Sequence, residues 1–222
     1  MEKKVFITGD GSTSFHLPKW NEQYHSKHGA IQEAYHVFIH SGLDLFKDNS
    51  TVSILEIGFG TGLNAFITYL ESLKRNLTIF YDGIEKYPLS EKEIALLNYP
   101  KALNAENHKA IFEKLHLSKW DELSEIDKQF RLTKRKKDFR DINDIAKFDL
   151  IYYDAFGARV QPELWTEELF KKMFLSLKNN GVLVTYSAKG SVRRAMLAVG
   201  FNVEKIPGPK GKREMLRAFK KS

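Results

Sequence analysis

Cysteine is absent from this 222-residue sequence, and that absence removes several chemistries. Disulfides, thiolate zinc sites, iron–sulfur clusters and cysteine nucleophiles all need it. Cluster-based radical chemistry and base methylation through a cysteine adduct are therefore excluded. Proline is scarce, at 6 residues, and no linker, repeat or low-complexity stretch interrupts the chain. No apolar run approaches the roughly 20 residues needed to span a bilayer. The opening MEKKVFITGD also lacks the continuous apolar core of a signal peptide. The expected compartment is the cytoplasm, with no membrane partner. His36 and His40 stand at i, i+4, a spacing that can ligate zinc, but no H-E-x-x-H arrangement accompanies them and no metal site is expected.

What is present is an ordinary globular composition, 42% hydrophobic and 28% charged, with a basic excess of +7. The excess is concentrated at the end. From Lys205 onward, seven basic residues face the single acid Glu214. Such clustering suits a polyanion such as RNA, against the plainer reading of a solvated terminus. The stretch TKRKKDFR (133–140) is read as a solvated sheet edge, which lysine commonly protects. The loop PGPKGKRE, preceded by Arg193 and Arg194, is the better RNA candidate.

The chain reads as effectively one domain: an N-terminal extension over 1–50, a short hairpin plus a helix, packed on a core over 51–222. Residues 5–17 form two short strands about Gly-Asp-Gly, and Ile31, Ala34, Tyr35 and Phe38 recur at helical spacing. Strands are then expected at 52–57, 78–84, 130–136, 148–153 and 182–186. Helices are expected at 62–74, after an N-cap at Ser90, at 101–118, at 167–177 and at 191–199. Asn180-Gly181 reads as a helix stop. The chain closes with strands at 202–206 and 215–219. Strand–helix alternation implies a mostly parallel sheet covered on both faces, and a strand returning directly from its neighbour must run antiparallel.

Residues 55–64 read LEIGFGTGLN. Glycines at 58, 60 and 62 just after an apolar strand mark a sharp turn into a helix that cradles a ligand. A dinucleotide fingerprint needs its third glycine at position 63, which is Leu63, and a P-loop needs Gly-Lys-Ser/Thr, which is missing. The pattern that fits resembles E/D-x-G-x-G-x-G of class I, Rossmann-like, S-adenosylmethionine-dependent methyltransferases. That resemblance implies an α/β fold with a mostly parallel seven-stranded sheet and an antiparallel last strand. Gly58, Gly60 and Gly62 let the backbone approach the cofactor, and the following helix N-terminus attracts its carboxylate. Glu56 contacts the cofactor's polar end, and Asn64 is grouped with the cofactor-binding residues. Glu85, ending the next strand, suits the ribose hydroxyls. Asp138 is placed for the adenine amino group, with Asp141 as a rival. All these strand ends line one crevice.

The fourth parallel strand ends in YYDAFGARVQPELW. Asp154 emerges there beside the cofactor. Methyl transfer to nitrogen is an in-line displacement that needs a neutral, oriented amine, and an alkyl amine is mostly protonated at neutral pH. Asp154 can bind that ammonium, accept its proton or align the lone pair. Phe156 and Trp165 can stack on a flat base, with core packing as the alternative for both. Tyr24 and His25 are candidates for the acceptor side.

Five blocks in matching order resemble the methyltransferase domain of the MnmC family of tRNA wobble-uridine modification enzymes. They are Tyr24-x-Ser26…Gly29…Glu33…Val37-Phe38, LEIGFGTGLN, IEKYPLS, YDAF…QPELWTEELF and GPKGKREMLRA, the last containing Lys212 and Arg213. The resemblance implies S-adenosylmethionine-dependent N-methylation of 5-aminomethyl(-2-thio)uridine in tRNA, giving the methylaminomethyl form. It also implies a stand-alone methyltransferase without the flavin oxidoreductase domain, with a monomer the expected state. Ala158 and Gln161 stand where family members commonly carry Pro and Asn. Two other classes stay open: a methyltransferase of another small-molecule or protein amine, and a non-catalytic RNA-binding protein on the same scaffold.

Overall fold

A computed structural model describes residues 2–221. The chain opens with a three-stranded antiparallel sheet, β1 (Lys4–Ile7), β2 (Thr13–Leu17) and β3 (Glu22–Gln23). Helix α1 (Ala30–Ala34) then continues without a break as a wider π-helical turn over Tyr35–His40, which buries Val37, Phe38 and Ile39. The main alternation follows: β4 (Thr51–Ile57), α2 (Leu63–Arg75), β5 (Thr78–Ile84), α3 (Glu91–Ile94), α4 (Tyr99–Ala102), α5 (Lys109–Leu117), β6 (Leu123–Glu125), β7 (Phe130–Arg135), β8 (Phe148–Tyr153), α6 (Glu167–Ser176), β9 (Leu177–Thr185), α7 (Gly190–Ala198), β10 (Asn202–Pro207) and β11 (Glu214–Phe219).

The second sheet has eight strands in the order β10-β11-β9-β8-β4-β5-β7-β6. Strand β4 pairs in parallel with β5 on one side and β8 on the other, while β11 runs antiparallel to both β9 and β10. The chain leaves β4 toward one edge and returns at β8 toward the other. The crevice beyond the carboxyl end of β4 is therefore the topological switch point, where open α/β sheets bind ligands. From Val52 to Ile57, every residue but Ser53 is buried, because helices cover both faces of the sheet. Successive residues alternate faces: Tyr152 joins the core under α2 with Phe66 and Tyr81, and Tyr153 joins the opposite core with Trp165, Phe170 and Met173.

Several details differ from the sequence reading, among them the unforeseen short strand β3. The sheet gains an eighth strand, β6, a three-residue edge piece antiparallel to β7 and too short to show alternation. The stretch expected to be one helix over 101–118 is broken, because Asn104 turns left-handed at φ 52° and a single 3-10 turn over Glu106–His108 intervenes. Ser90 does cap its helix, with reciprocal bonds to Glu93, but only one turn follows. Asn180-Gly181 does not stop α6, which ends at Ser176. Asn180, at φ 61°, kinks β9 where its pairing with β8 shifts register. Among the described residues, no helix is long and apolar enough to cross a membrane.

Candidate active site

A cleft of about 750 Å³ opens at the carboxyl ends of β4, β5 and β8. Its floor is the glycine turn. Gly58 adopts φ +93°, and a Cβ there would stand 2.8 Å from the Asp154 carbonyl oxygen, so only glycine fits. At Gly60, with φ +48°, an added Cβ would stand 3.5 Å from the Tyr24 ring. Gly62 lies at the base of the turn against His116, as the residue before α2.

Three acidic side chains converge on this floor. Asn64, in the first turn of α2, donates its amide nitrogen to Glu56 Oε1 at 2.8 Å and to Asp154 Oδ2 at 3.0 Å. Glu56 is only 1% exposed and lies beneath the cleft rather than in its wall. The Tyr81 hydroxyl lies beside it and, with the Asn64 bond, opposes the effect of burial on its carboxyl. Burial, then the charge of Asp154, pushes the Glu56 carboxyl well above its ordinary value. Burial likewise raises Asp154 strongly, with the Glu33 charge adding and the Asn64 bond and Lys212 opposing. Glu85 is pinned by two backbone amides, Gly60 at 3.2 Å and Tyr87 at 2.8 Å. Burial still leaves its carboxyl raised.

Asp138 also reaches the cleft, yet it is saturated by cations: Lys86 Nζ at 2.8 Å, and the Arg140 guanidinium at 2.8 and 2.9 Å. The Arg140 hydrogen bonds are the largest influence on its carboxyl, which is held far below the ordinary range. Any adenine contact must be shared with those partners.

One wall of the cleft is aromatic. Phe156 meets Tyr24 edge to face at 5.1 Å and Trp20 at 5.7 Å, and all three line the cleft. Trp165, grouped with Phe156 from sequence, lies elsewhere: it is 6% exposed, packed on Tyr153 and Phe170, and its Nε1 donates to the Phe156 carbonyl oxygen at 2.8 Å. It shapes the loop from behind, and core packing is what the structure shows for it. His25 lines the cleft under the glycine turn, bonded to Ser14 Oγ at 2.9 Å and Thr61 Oγ1 at 3.4 Å, and burial lowers its pKa to about 4. It braces the turn. Lys212 lines the cleft, whereas Arg213 is exposed outside it.

Sequence reasoning missed Glu33 and Tyr186 as site residues, although both line the cleft. Tyr186 follows directly on β9, and the strand-end rule that picks out Glu85 and Asp154 would have found it. Glu33 comes from α1, before the alternating pattern begins, and only its place in a family block singles it out. His36 and His40 bond the Pro207 carbonyl oxygen at 2.8 Å and Asp44 at 3.0 Å. Among the described residues no cluster of three potential metal ligands occurs.

A parallel sheet reversed at β4, a glycine turn after an acid-ended strand, and a second acid at the end of β5 define a class I methyltransferase fold. The chain matches the family model described as S-adenosyl-L-methionine-dependent methyltransferase over residues 106–221, and it belongs to that family. It is 31% identical over 213 residues to the tRNA 5-methylaminomethyl-2-thiouridine biosynthesis bifunctional protein MnmC of Hydrogenovibrio crunogenus, covering 88% of this chain and 31% of that protein. It is 33% identical to the MnmC of Leptospira borgpetersenii, covering 89% and 32%. The chain thus spans about a third of the length of these curated relatives. Among solved structures, it superposes on MNMC2 from Aquifex aeolicus with a TM-score of 0.82 and 26% identity, over all of this chain and 71% of that one. Spermidine synthase from Thermotoga maritima shares the fold, with a TM-score of 0.56 at 13% identity.

The residues present fit S-adenosylmethionine. Backbone without side chains lines the turn at Gly58 and Gly60, the Glu85 carboxylate keeps lone pairs free beside its two amide donors, and the cleft volume lies in the range of small-molecule sites.

Proposed function

We propose that this chain methylates the primary amine of 5-aminomethyl(-2-thio)uridine at the wobble position of tRNA. The observation that carries the reading is Asp154. It stands at the carboxyl end of β8, oriented by Asn64, in the same cleft wall as the aromatic trio Tyr24, Phe156 and Trp20. The acceptor is inferred from the relatives, which are named for 5-methylaminomethyl-2-thiouridine biosynthesis in tRNA. A methylaminomethyl group contains one N–CH3 bond, which is the bond this enzyme class forms.

The chain's own groups account for the rest. The aminomethyl group arrives as an ammonium, whose proton must leave before nitrogen can attack. Asp154 is half-buried, and its raised pKa makes it a better proton acceptor than an exposed aspartate. Asn64 fixes one of its oxygens at 3.0 Å, so the carboxylate accepts the proton in one orientation. Among the described residues no other side chain hydrogen-bonds the Asp154 carboxylate. The edge-to-face rings of Phe156 and Tyr24 offer apolar faces to a pyrimidine. S-adenosylmethionine, when bound on the glycine turn, supplies a sulfonium methyl group that passes to the freed lone pair while the S–C electrons stay on sulfur.

The topology supports an RNA partner. Strand β10 runs parallel to β9, so the loop 208–213 and the first turn of α7 lie at the sheet edge that holds the cleft. Lys189, Arg194, Lys210 and Arg213 are exposed there, a basic rim suited to phosphates. The test is nucleoside mass spectrometry of tRNA from a strain lacking this chain. Loss of methylaminomethyluridine with accumulation of the aminomethyl form supports the reading. Unchanged nucleosides point to another amine as acceptor.

A further inference from the structure

One ammonium already occupies the cleft, and it belongs to the chain. Lys212 Nζ stands 4.1 Å from the centroid of the Tyr186 ring and 2.9 Å from Glu33 Oε1. Both partners are fixed. Glu33 Oε2 accepts from the Ser26 amide at 2.9 Å, and the Tyr186 hydroxyl donates to the Ala155 carbonyl oxygen at 2.8 Å while its ring rests edge-on against Trp165. Asp154 is next to this group, close enough to feel the opposing charges of Glu33 and Lys212. An aromatic face plus a carboxylate is what an alkylammonium requires.

Lys212 is the movable member. Its side chain is 38% exposed against 14% for Glu33, and it hangs on the loop between β10 and β11 by a flexible four-carbon stem. Without a cation, Glu33 and Asp154, which both line the cleft, would repel as like charges. A lysine there neutralises the empty site, and a primary ammonium of the substrate carries the same charge and donors.

Resting on the amine acceptor proposed above, we infer that the Tyr186–Glu33 cage beside Asp154 is the receiving site for the acceptor's primary ammonium. Lys212 fills it as a resident stand-in that the acceptor displaces. Once displaced, Lys212 lies on the basic rim and is free to meet a phosphate. Glu33 and Tyr186 are then binding residues for the acceptor, and the exchange admits an acceptor only if it brings a positive charge.

The test follows Lys212 by NMR in protein labelled with carbon-13 at the lysine ε-carbons, its signal assigned by its loss in Lys212→Arg. In the free protein the Tyr186 ring current shifts this signal away from the exposed lysines, and Tyr186→Leu abolishes the shift. Adding tRNA that carries 5-aminomethyluridine moves the signal to the exposed-lysine position. The same tRNA with an unmodified wobble uridine leaves it in place. A signal that stays put with aminomethyl-tRNA, while parallel samples with S-adenosylmethionine show methylation, overturns the cage and spares the proposed function. Equal movement with both tRNAs overturns the ammonium exchange. A tRNA neither bound nor methylated overturns the function itself.

Discussion

Gly58 and Asp154 meet backbone to backbone: a Cβ on Gly58 would stand 2.8 Å from the Asp154 carbonyl oxygen. The glycine turn after β4 and the carboxyl end of β8 are thereby packed as one unit. Gly58→Ala adds a methyl group where backbone cannot yield, at a φ of +93°. The expected loss is about 1–3 kcal/mol of stability, together with cofactor affinity. A thermal melt and calorimetric titration of S-adenosylmethionine read both effects. Unchanged binding would mean that the turn tolerates displacement.

Asp154→Asn keeps the shape of the carboxylate and a bond to Asn64 but cannot take a proton. Turnover should fall about 10²- to 10⁴-fold, the usual size of a general-base contribution, while S-adenosylmethionine still binds. Single-turnover methylation and calorimetry on the same variant separate the two steps. Retained turnover would remove Asp154 from the proton path.

Glu56 makes stability depend on pH. Its folded value is raised by burial above the ordinary 4.5. An acid raised in the folded state contributes stability below its unfolded pKa and loses it as pH climbs through the folded one. The protein without cofactor should therefore lose stability from about pH 4.5 upward through this group, while Asp138 and Asp144, both lowered, act in the opposite sense at acid pH. Glu56→Gln removes the first contribution. Its melting temperature should exceed that of the parent at pH 8 and match it near pH 4. Parallel curves would show that Glu56 titrates in the folded protein as it does in the unfolded chain, which contradicts a carboxyl raised by burial.

Much of this site is legible in the sequence because strand ends carry it. Glu85 and Asp154 follow apolar runs whose limits, Thr78–Ile84 and Phe148–Tyr153, coincide with β5 and β8. Periodicity identifies a strand and its end, but not what lies opposite. Phe156 and Trp165 look equivalent in a linear reading; packing turns one into the cleft and the other into the core behind it. Glu33 and Lys212 are 179 positions apart and meet only through the fold. Glu56 has the spacing of a cofactor contact, yet burial puts it under the floor, acting through Asn64. Strands β3 and β6, of two and three residues, leave no periodic trace.

The basic rim should show itself in salt dependence. Arg213 is exposed at the cleft edge of the sheet. If it meets a phosphate, Arg213→Gln should lower the slope of log affinity for tRNA against log salt by about 1. Filter binding over a range of salt concentrations reads the slope. An unchanged slope would place the RNA elsewhere.

The most direct test of the central claim uses purified chain, S-adenosylmethionine and tRNA whose wobble uridine carries the aminomethyl group, with the nucleosides then resolved by mass spectrometry. The account predicts conversion of 5-aminomethyluridine to its methylaminomethyl form, abolished by Asp154→Asn. Methyl transfer to any other nucleoside, or none while S-adenosylmethionine remains bound, would contradict it.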